Sequence, residues 1–338
     1  MDRLKLMIMV GCVVLAGRVL GQRQDTLTAE EIVRRSIEFC GGEERIGKVK
    51  TTSINYLMVQ PDGSMAVVSK KIKSGQRYMR SLLSKTHVPQ TVFYDGTTVK
   101  VVIGSTFAPV IKQEHRGEMD LELYNHVQYG YKVFGYKLIR LADEKFKNFD
   151  CYVVESTAPG GYTCTNFFDK TNYRLIMVAY SDGSKALMTE YIFKDGVLFD
   201  SRILNTFPGT DQVQEMILQD VTLNADIPEI WFNYPDKAGR KLPPNIETGS
   251  FESTSGVKTT FNRTDKAQDY YDENGNLVLK RNLTWMSDDT FRLTEVNGDT
   301  APESEILVRI ISWDETGYVC HWIAGNYFDT DLYRIKAR

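Results

Sequence analysis

A mainly β protein in two parts is predicted by three observations. Residues Asp150 to Pro235 form a run of strand-length segments with little else between them, a second such run fills Ile246 to Arg338, and helical periodicity is confined to the start of the chain and one short insert. In the first run Tyr152–Thr157, Tyr162–Phe168, Tyr173–Tyr180, Leu187–Phe193, Val197–Leu204 and Val213–Leu223 are apolar or alternating, with Asp182-Gly183 and Asp195-Gly196 the clearest turns. A two-residue hairpin needs positive φ, and Asp-Gly supplies it at low steric cost. These segments therefore read as antiparallel neighbours. Many carry apolar side chains on both faces, Leu175 and Met177 opposite to Ile176 and Val178, for example. Such a sheet needs a cover on each face, or a cover on one and a ligand on the other.

The elements follow in order. Residues 1–21 read as a secretory signal peptide: Arg3 and Lys5 make a basic start, Leu6 to Ala16 an apolar core, and Val19-Leu20-Gly21 a small-residue cut. An uncleaved anchor is disfavoured by the short core and by Arg18, whereas Met9-Val10-Gly11-Cys12 leaves lipidation at Cys12 as a minor alternative. The signal's Asp2, Arg3, Lys5 and Arg18 sum to +2, so the net charge of −3 becomes −5 in the mature chain. That mild acidity points away from nucleic acid and from a polybasic membrane patch, and no later segment has the length of a membrane span. Cys40, Cys151, Cys164 and Cys320 then sit in a compartment that permits disulfides. Cys151 and Cys164 lie on hairpin neighbours without a simple count placing them opposite, and unbridged core cysteines are the favoured reading.

Thr28 to Cys40 is predicted as a helix with Ala29, Ile32, Val33, Ser36, Ile37 and Cys40 on one buried face, a Thr28/Glu31 capping box and a Gly41-Gly42 stop. A helical turn at Glu43–Lys48 leads to strands Ser53–Gln60, Met65–Lys73, Gln76–Leu83, Thr91–Tyr94 and Thr97–Ile103, with Asp62-Gly63 and Asp95-Gly96 at hairpins. Between Glu114 and Phe134 the period changes, and Met119, Leu123, His126 and Val127 predict one or two short helices. The polar, proline-bearing stretch 236–245 is the expected linker between a domain at 22–235 and a second at 246–338. In the second, Ser250–Glu252, Lys258–Arg263, Ala267–Asp272, Leu277–Trp285, Thr290–Val296, Ile306–Ser312, Tyr318–Ile323 and Leu332–Lys336 are the expected strands, with turns at Asn274-Gly275, Asn297-Gly298 and Asp314–Gly317. Closely spaced strands without a covering helix favour a small closed or nearly closed barrel that hides its own edges.

The Thr28-Ala29-Glu30-Glu31-Ile32 helix with its Gly41-Gly42 stop carries a resemblance. With it go Cys151-Tyr152-Val153-Val154, Phe168-Asp169-Lys170-Thr171, Asp195-Gly196-Val197-Leu198-Phe199 and the closing Val221 to Ile227 with Trp231-Phe232 and Tyr234-Pro235. Over residues 26–235 the chain resembles the periplasmic outer-membrane lipoprotein-sorting proteins, the LolA-like family. That resemblance implies an incomplete antiparallel β-barrel with plugging helices (LolA/LolB-like), a concave apolar face, and carriage or sensing of lipids and acylated proteins without covalent chemistry. Gly249-x-Phe251, Arg263 with Gln268, and Trp285 followed by Phe291-x-Leu293 resemble small bacterial lipocalin-like β-meander domains over residues 246–338, with Arg263 in a packing role against an aromatic ring.

No metal-ligand spacing joins His87, His115, His126 and His321, His126 reads as a satisfied core histidine, and nucleophile elbows and phosphate or dinucleotide loops are missing from the sequence. No catalytic residue, cofactor or metal is expected. Burial of an acyl chain is worth about 0.8 kcal/mol per CH₂, and Met side chains adapt to an irregular guest. Tyr56, Met58, Met65, Val67, Met177 and Met188 are the ligand-binding candidates. The expectation is an exported, non-enzymatic, periplasmic carrier of a lipid or acylated lipoprotein. The alternatives are an envelope sensor or regulator with a protein partner, and a structural interaction module.

Overall fold

The computed structural model of this chain of 338 residues describes residues 27–84, 88–104, 106–108, 116–234, 241–254, 259–296, 305–324 and 327–336. The expected signal peptide with Cys12, the Asn297-Gly298 turn, His87, His115 and residues 236–240 of the expected linker lie outside them. No helix among the described residues is long and apolar enough to cross a membrane.

Helix α1 (Ala29–Phe39) buries Ala29, Ile32, Val33, Ser36 and Ile37, the face its periodicity predicted. Thr28 caps it, Oγ1 accepting from the Glu31 amide at 3.2 Å. The reciprocal half of the capping box is not made, because the Glu31 carboxylate accepts from Arg34 and Arg35 at 2.7 to 2.9 Å. Gly41 follows at φ +121°, and a Cβ there would stand 2.4 Å from the Gly196 carbonyl oxygen. Only glycine lets the helix end approach that hairpin so closely. α2 (Glu43–Lys48) completes the turn into the sheet.

The first strand run is β1 (Thr51–Val59), β2 (Met65–Lys73), β3 (Arg77–Ser84), β4 (Gln90–Tyr94), β5 (Val99–Ile103) and β6 (Thr106–Ala108). Two short helices, α3 (Arg116–Glu122) and α4 (Val127–Val133), form the insert. Then come β7 (Lys137–Arg140), β8 (Glu144–Phe146), β9 (Phe149–Thr157), β10 (Thr163–Asp169), β11 (Leu175–Tyr180), β12 (Lys185–Lys194), β13 (Val197–Thr206) and β14 (Val213–Leu223). All belong to one open antiparallel sheet of 14 strands, ordered β6-β5-β4-β3-β2-β1-β14-β13-β12-β11-β10-β9-β7, with β8 on β9. The sequence showed neither β6 nor β7 and β8: they are three or four residues long, and the last two are mostly polar, so alternation has no room to register. Cys151 faces Asp169 and Cys164 faces Ser156 across their ladders, and all four described cysteines are free and buried.

Period-two alternation splits the sheet into two faces. On the inner face Ile54, Tyr56, Met58, Val68, Val154 and Val178 pack with α1 and the insert in one core. On the outer face Met79, Phe93 and Val102 pack against a short 3-10 helix, Glu229–Phe232, and against Ile311, Val319 and Leu332 of the second β unit. Polar contacts stitch that seam: Ser81 to Thr330 at 3.2 Å, Thr91 to His321 at 3.3 Å, and Ser312 Oγ donating to the Ile230 carbonyl at 2.8 Å.

The second unit is a closed eight-strand barrel: β15 (Gly249–Ser253), β16 (Thr260–Arg263), β17 (Ala267–Tyr271), β18 (Leu277–Trp285), β19 (Thr290–Glu295), β20 (Glu305–Asp314), β21 (Gly317–Ala324) and β22 (Tyr327–Ile335). Phe251 opposite Ile335 closes the ring. One end is stopped by α5 (Pro244–Glu247): its Ile246, and Leu242 from within the stretch expected as linker, are fully buried in the barrel core. Inside lies Arg263, its guanidinium carbon 4.3 to 5.4 Å from the ring centres of Phe251, Phe261, Phe291 and Tyr318. It donates to Gln268 Oε1 at 2.9 Å, to the Ile246 carbonyl at 3.2 Å and to the Tyr318 hydroxyl. A planar fork does this and an ammonium cannot. Arg263→Lys is therefore expected to cost about 2–4 kcal/mol of stability, read from urea unfolding of the whole chain. A loss under ~0.5 kcal/mol would mean that charge alone suffices.

Candidate functional site

The inner face is not filled by its helices. A cavity of about 980 Å³ lies between the sheet and the α3–α4 connection, at the upper end of the roughly 300–1,000 Å³ usual for ligand pockets. Strand register orients it. At one end it reaches the hairpins that join β9 to β10, β11 to β12 and β13 to β14, through Gly161, Asp182 and Phe207. At the other it is floored by Leu121 to Val127, which bring Glu122, Asn125 and His126 to the wall. Between these ends Met58, Leu82, Met188, Ile203 and Met216 supply apolar surface.

Of the residues proposed from the sequence, Tyr56, Met58 and Met188 line the cavity. Met65, Val67 and Met177 do not. Met65 opens β2 with 54 % of its surface exposed. Val67 pairs with Leu57, and their parity turns both to the outer face while Val68 turns inward. Met177 pairs with Phe167 and Leu187 and is buried on the outer face with Cys151, Val153 and Ile176. An apolar residue type could not separate the two faces of a sheet that is apolar on both.

The polar members of the wall were not among the candidates. Lys70 stands between Val68 and Ile72 on inward parity, and Arg80 pairs with it across β2 and β3. A basic residue interrupting an inward apolar series was the signal available in the sequence. Lys70 Nζ donates to Glu122 Oε2 at 2.9 Å. Burial pushes the Glu122 carboxyl up, but Lys70 and Arg80 outweigh it and hold that carboxyl below its usual range. On the facing side Asp200 has 27 % of its side chain exposed, and Arg174 Nη2 is 3.8 Å away, beyond hydrogen-bond reach. Burial raises the Asp200 carboxyl to about 7, with Arg174 opposing. His126 is buried beside Phe199, ring centres 6.0 Å apart, and burial lowers its imidazole to about 4. It was expected to be a satisfied core histidine. Its Nε2 in fact has no hydrogen-bond partner, and neither do Asn125 Oδ1 and Asp200 Oδ1. No group of three metal-ligating side chains occurs among the described residues.

No family model and no curated protein matches the chain. Solved structures do. A LolA superfamily protein from Nitrosomonas europaea is similar at 16 % identity, covering 62 % of this chain and 98 % of that one, with a TM-score of 0.44. A DUF1329 family protein from Desulfovibrio piger is similar at 12 % identity over 62 % of this chain and 98 % of that one, TM-score 0.43. MucB, in the complex of Pseudomonas aeruginosa MucA and MucB, is similar at 11 % identity over 90 % of this chain and 92 % of that one, TM-score 0.21. The chain itself is mainly β, with an open antiparallel sheet and a closed barrel. Likeness at this level says nothing of ligand or activity.

The two perturbed groups oppose each other in their effect of pH. Asp200, raised from 3.8 to about 7, binds a proton in the folded chain that the unfolded chain has released, so its contribution to stability falls as pH rises between those values. His126, lowered from 6.5 to about 4, is neutral when folded, so its contribution is lost as pH falls between those values. Asp200→Asn should gain on the wild type from about pH 4 to about pH 7 and level off above, by up to a few kcal/mol. His126→Phe should gain on acidification through about pH 6.5 to 4. Thermal unfolding against pH checks both, and parallel profiles for variant and wild type would refute the assignment.

Proposed function

We propose that the protein is an exported, non-enzymatic carrier that binds a lipid or acylated ligand on the inner face of its half-barrel. In this reading residues 22–235 are the binding domain and 246–338 a second β domain, with the expected linker 236–245 shortened at its end because Leu242 and the helix from Pro244 already belong to the barrel, and the mature chain works in the periplasm. One observation supports it above the rest: the cavity of about 980 Å³ along the apolar face of an open sheet, with Met58, Met188 and Met216 in its wall. Ten methylenes moved from water into such a cavity would contribute roughly 8 kcal/mol before ordering costs. Three adaptable Met side chains suit a flexible guest. The cavity reaches the end of the sheet where Val88, Phe207 and Val213 are exposed, and such a rim favours contact with the surface that delivers or receives the ligand.

Native mass spectrometry of the chain purified from a bacterial periplasm, followed by organic extraction, tests it. A co-purifying lipid is expected, lost in Met58→Asp and Met216→Asp and retained in Met65→Asp, whose side chain lies off the cavity. A bare mass, together with refusal of added phospholipids and acylated peptides, would overturn the carrier reading.

A further inference from the structure

The cavity wall is not uniform. Met58, Leu82, Met188, Ile203 and Met216 make an apolar middle, polar side chains such as Asp182, Lys185 and Asn205 ring the hairpin end, and the end floored by the α3–α4 connection gathers Tyr56, Lys70, Arg80, Glu122, Asn125, His126 and Asp200. A chain terminus seated there would leave three buried polar atoms, Asp200 Oδ1, Asn125 Oδ1 and His126 Nε2, with no hydrogen bond. Buried polar groups left in that state call for a partner. His126 carries the point furthest, since only 6 % of it is exposed and it belongs to the wall. The three atoms are also matched in kind. Two are carbonyl or carboxyl acceptors, and a neutral imidazole nitrogen accepts or donates according to its tautomer.

We propose that this inner end is a headgroup site for a single-chain amphiphile with an uncharged, hydroxyl-bearing head, of the monoacylglycerol class, bound head inward with its chain running toward the hairpins. The proposal rests on the carrier reading and names its ligand class. Charge selects the neutral head. The wall already sets Lys70 and Arg80 against Glu122 and Arg174 against Asp200, so a charged head would bring a further buried charge without a free counter-ion, whereas an uncharged one brings none. A hydroxyl donates to Asp200 and Asn125 and exchanges either role with His126, at no cost in buried charge. The direction of entry follows from the same asymmetry: the hydrogen-bonding atoms lie deep and the Met side chains lie nearer the mouth.

The test uses three probes of one chain length, 1-monopalmitoylglycerol, palmitate and methyl palmitate, titrated calorimetrically into the full mature chain. The monoacylglycerol is expected to bind at least about 10-fold more tightly than either other probe. Asp200→Leu and His126→Phe should each erase most of that advantage, read as the ratio of the monoacylglycerol affinity to the methyl palmitate affinity in the same variant, and Asp200→Asn, which keeps an acceptor, should retain it. If Asp200→Leu fails to fold by circular dichroism, His126→Phe gives the same reading from the other wall. A diazirine at the chain terminus should then cross-link near Phe207 and not in residues 121–127. Equal binding of all three probes, a preference for palmitate, or cross-linking at the inner end each overturns the headgroup site and leaves the carrier reading intact. Failure of every probe to bind counts against the carrier reading itself.

Discussion

β1 pairs with β14 across about half the chain, from Thr52 opposite Leu223 to Val59 opposite Glu215, and the two strand runs become one sheet through that ladder. Everything on the inner face depends on it. Met58 and Met216 are cross-strand partners at the seam, so the cavity has two of its three Met side chains side by side only because a contact of long sequence separation is made. Closing a loop of that size costs roughly 4–5 kcal/mol in chain entropy, offset by the ladder and by the apolar residues that α1 and the insert bury against it.

An open sheet with two apolar faces needs two covers, and the chain solves the two sides differently. The outer face is closed by the barrel and the 3-10 helix through Met79, Phe93, Val102, Ile230 and Val319, with buried hydroxyl contacts fixing the register of the seam. On the inner face α1 covers the part near β9 to β11, and the insert is too short to cover the rest. The uncovered remainder is the cavity. Its polar end is where the insert turns from α3 to α4, which is why Glu122, Asn125 and His126 sit together there.

Much of this was legible before the structure. Helix α1, its glycine stop, strands β2, β14 and β18 to the residue and the closed barrel were readable, because each rests on local periodicity or turn chemistry, whereas the aromatic packing of Arg263 came with the resemblance of residues 246–338 to lipocalin-like domains. The candidate site was half legible. Tyr56, Met58 and Met188 line the cavity, while Met65, Val67 and Met177 sit on a hairpin end or on the outer face. Strand periodicity assigns residues to one of two faces without saying which face is which, and both here are apolar.

The sequence by itself determined the class of fold, the positions of its turns and the residues that must leave water, since these follow from φ preferences, side-chain alternation and apolar surface within a few residues of one another. Only the tertiary structure decided which apolar face is covered by protein and which is left open, and that Lys70, Arg80, Glu122, His126 and Asp200 meet at one end of the opening. The physical reason is that desolvation and hydrogen-bond satisfaction depend on neighbours brought together from β2, β3, β13 and the insert, and no local pattern encodes those distances.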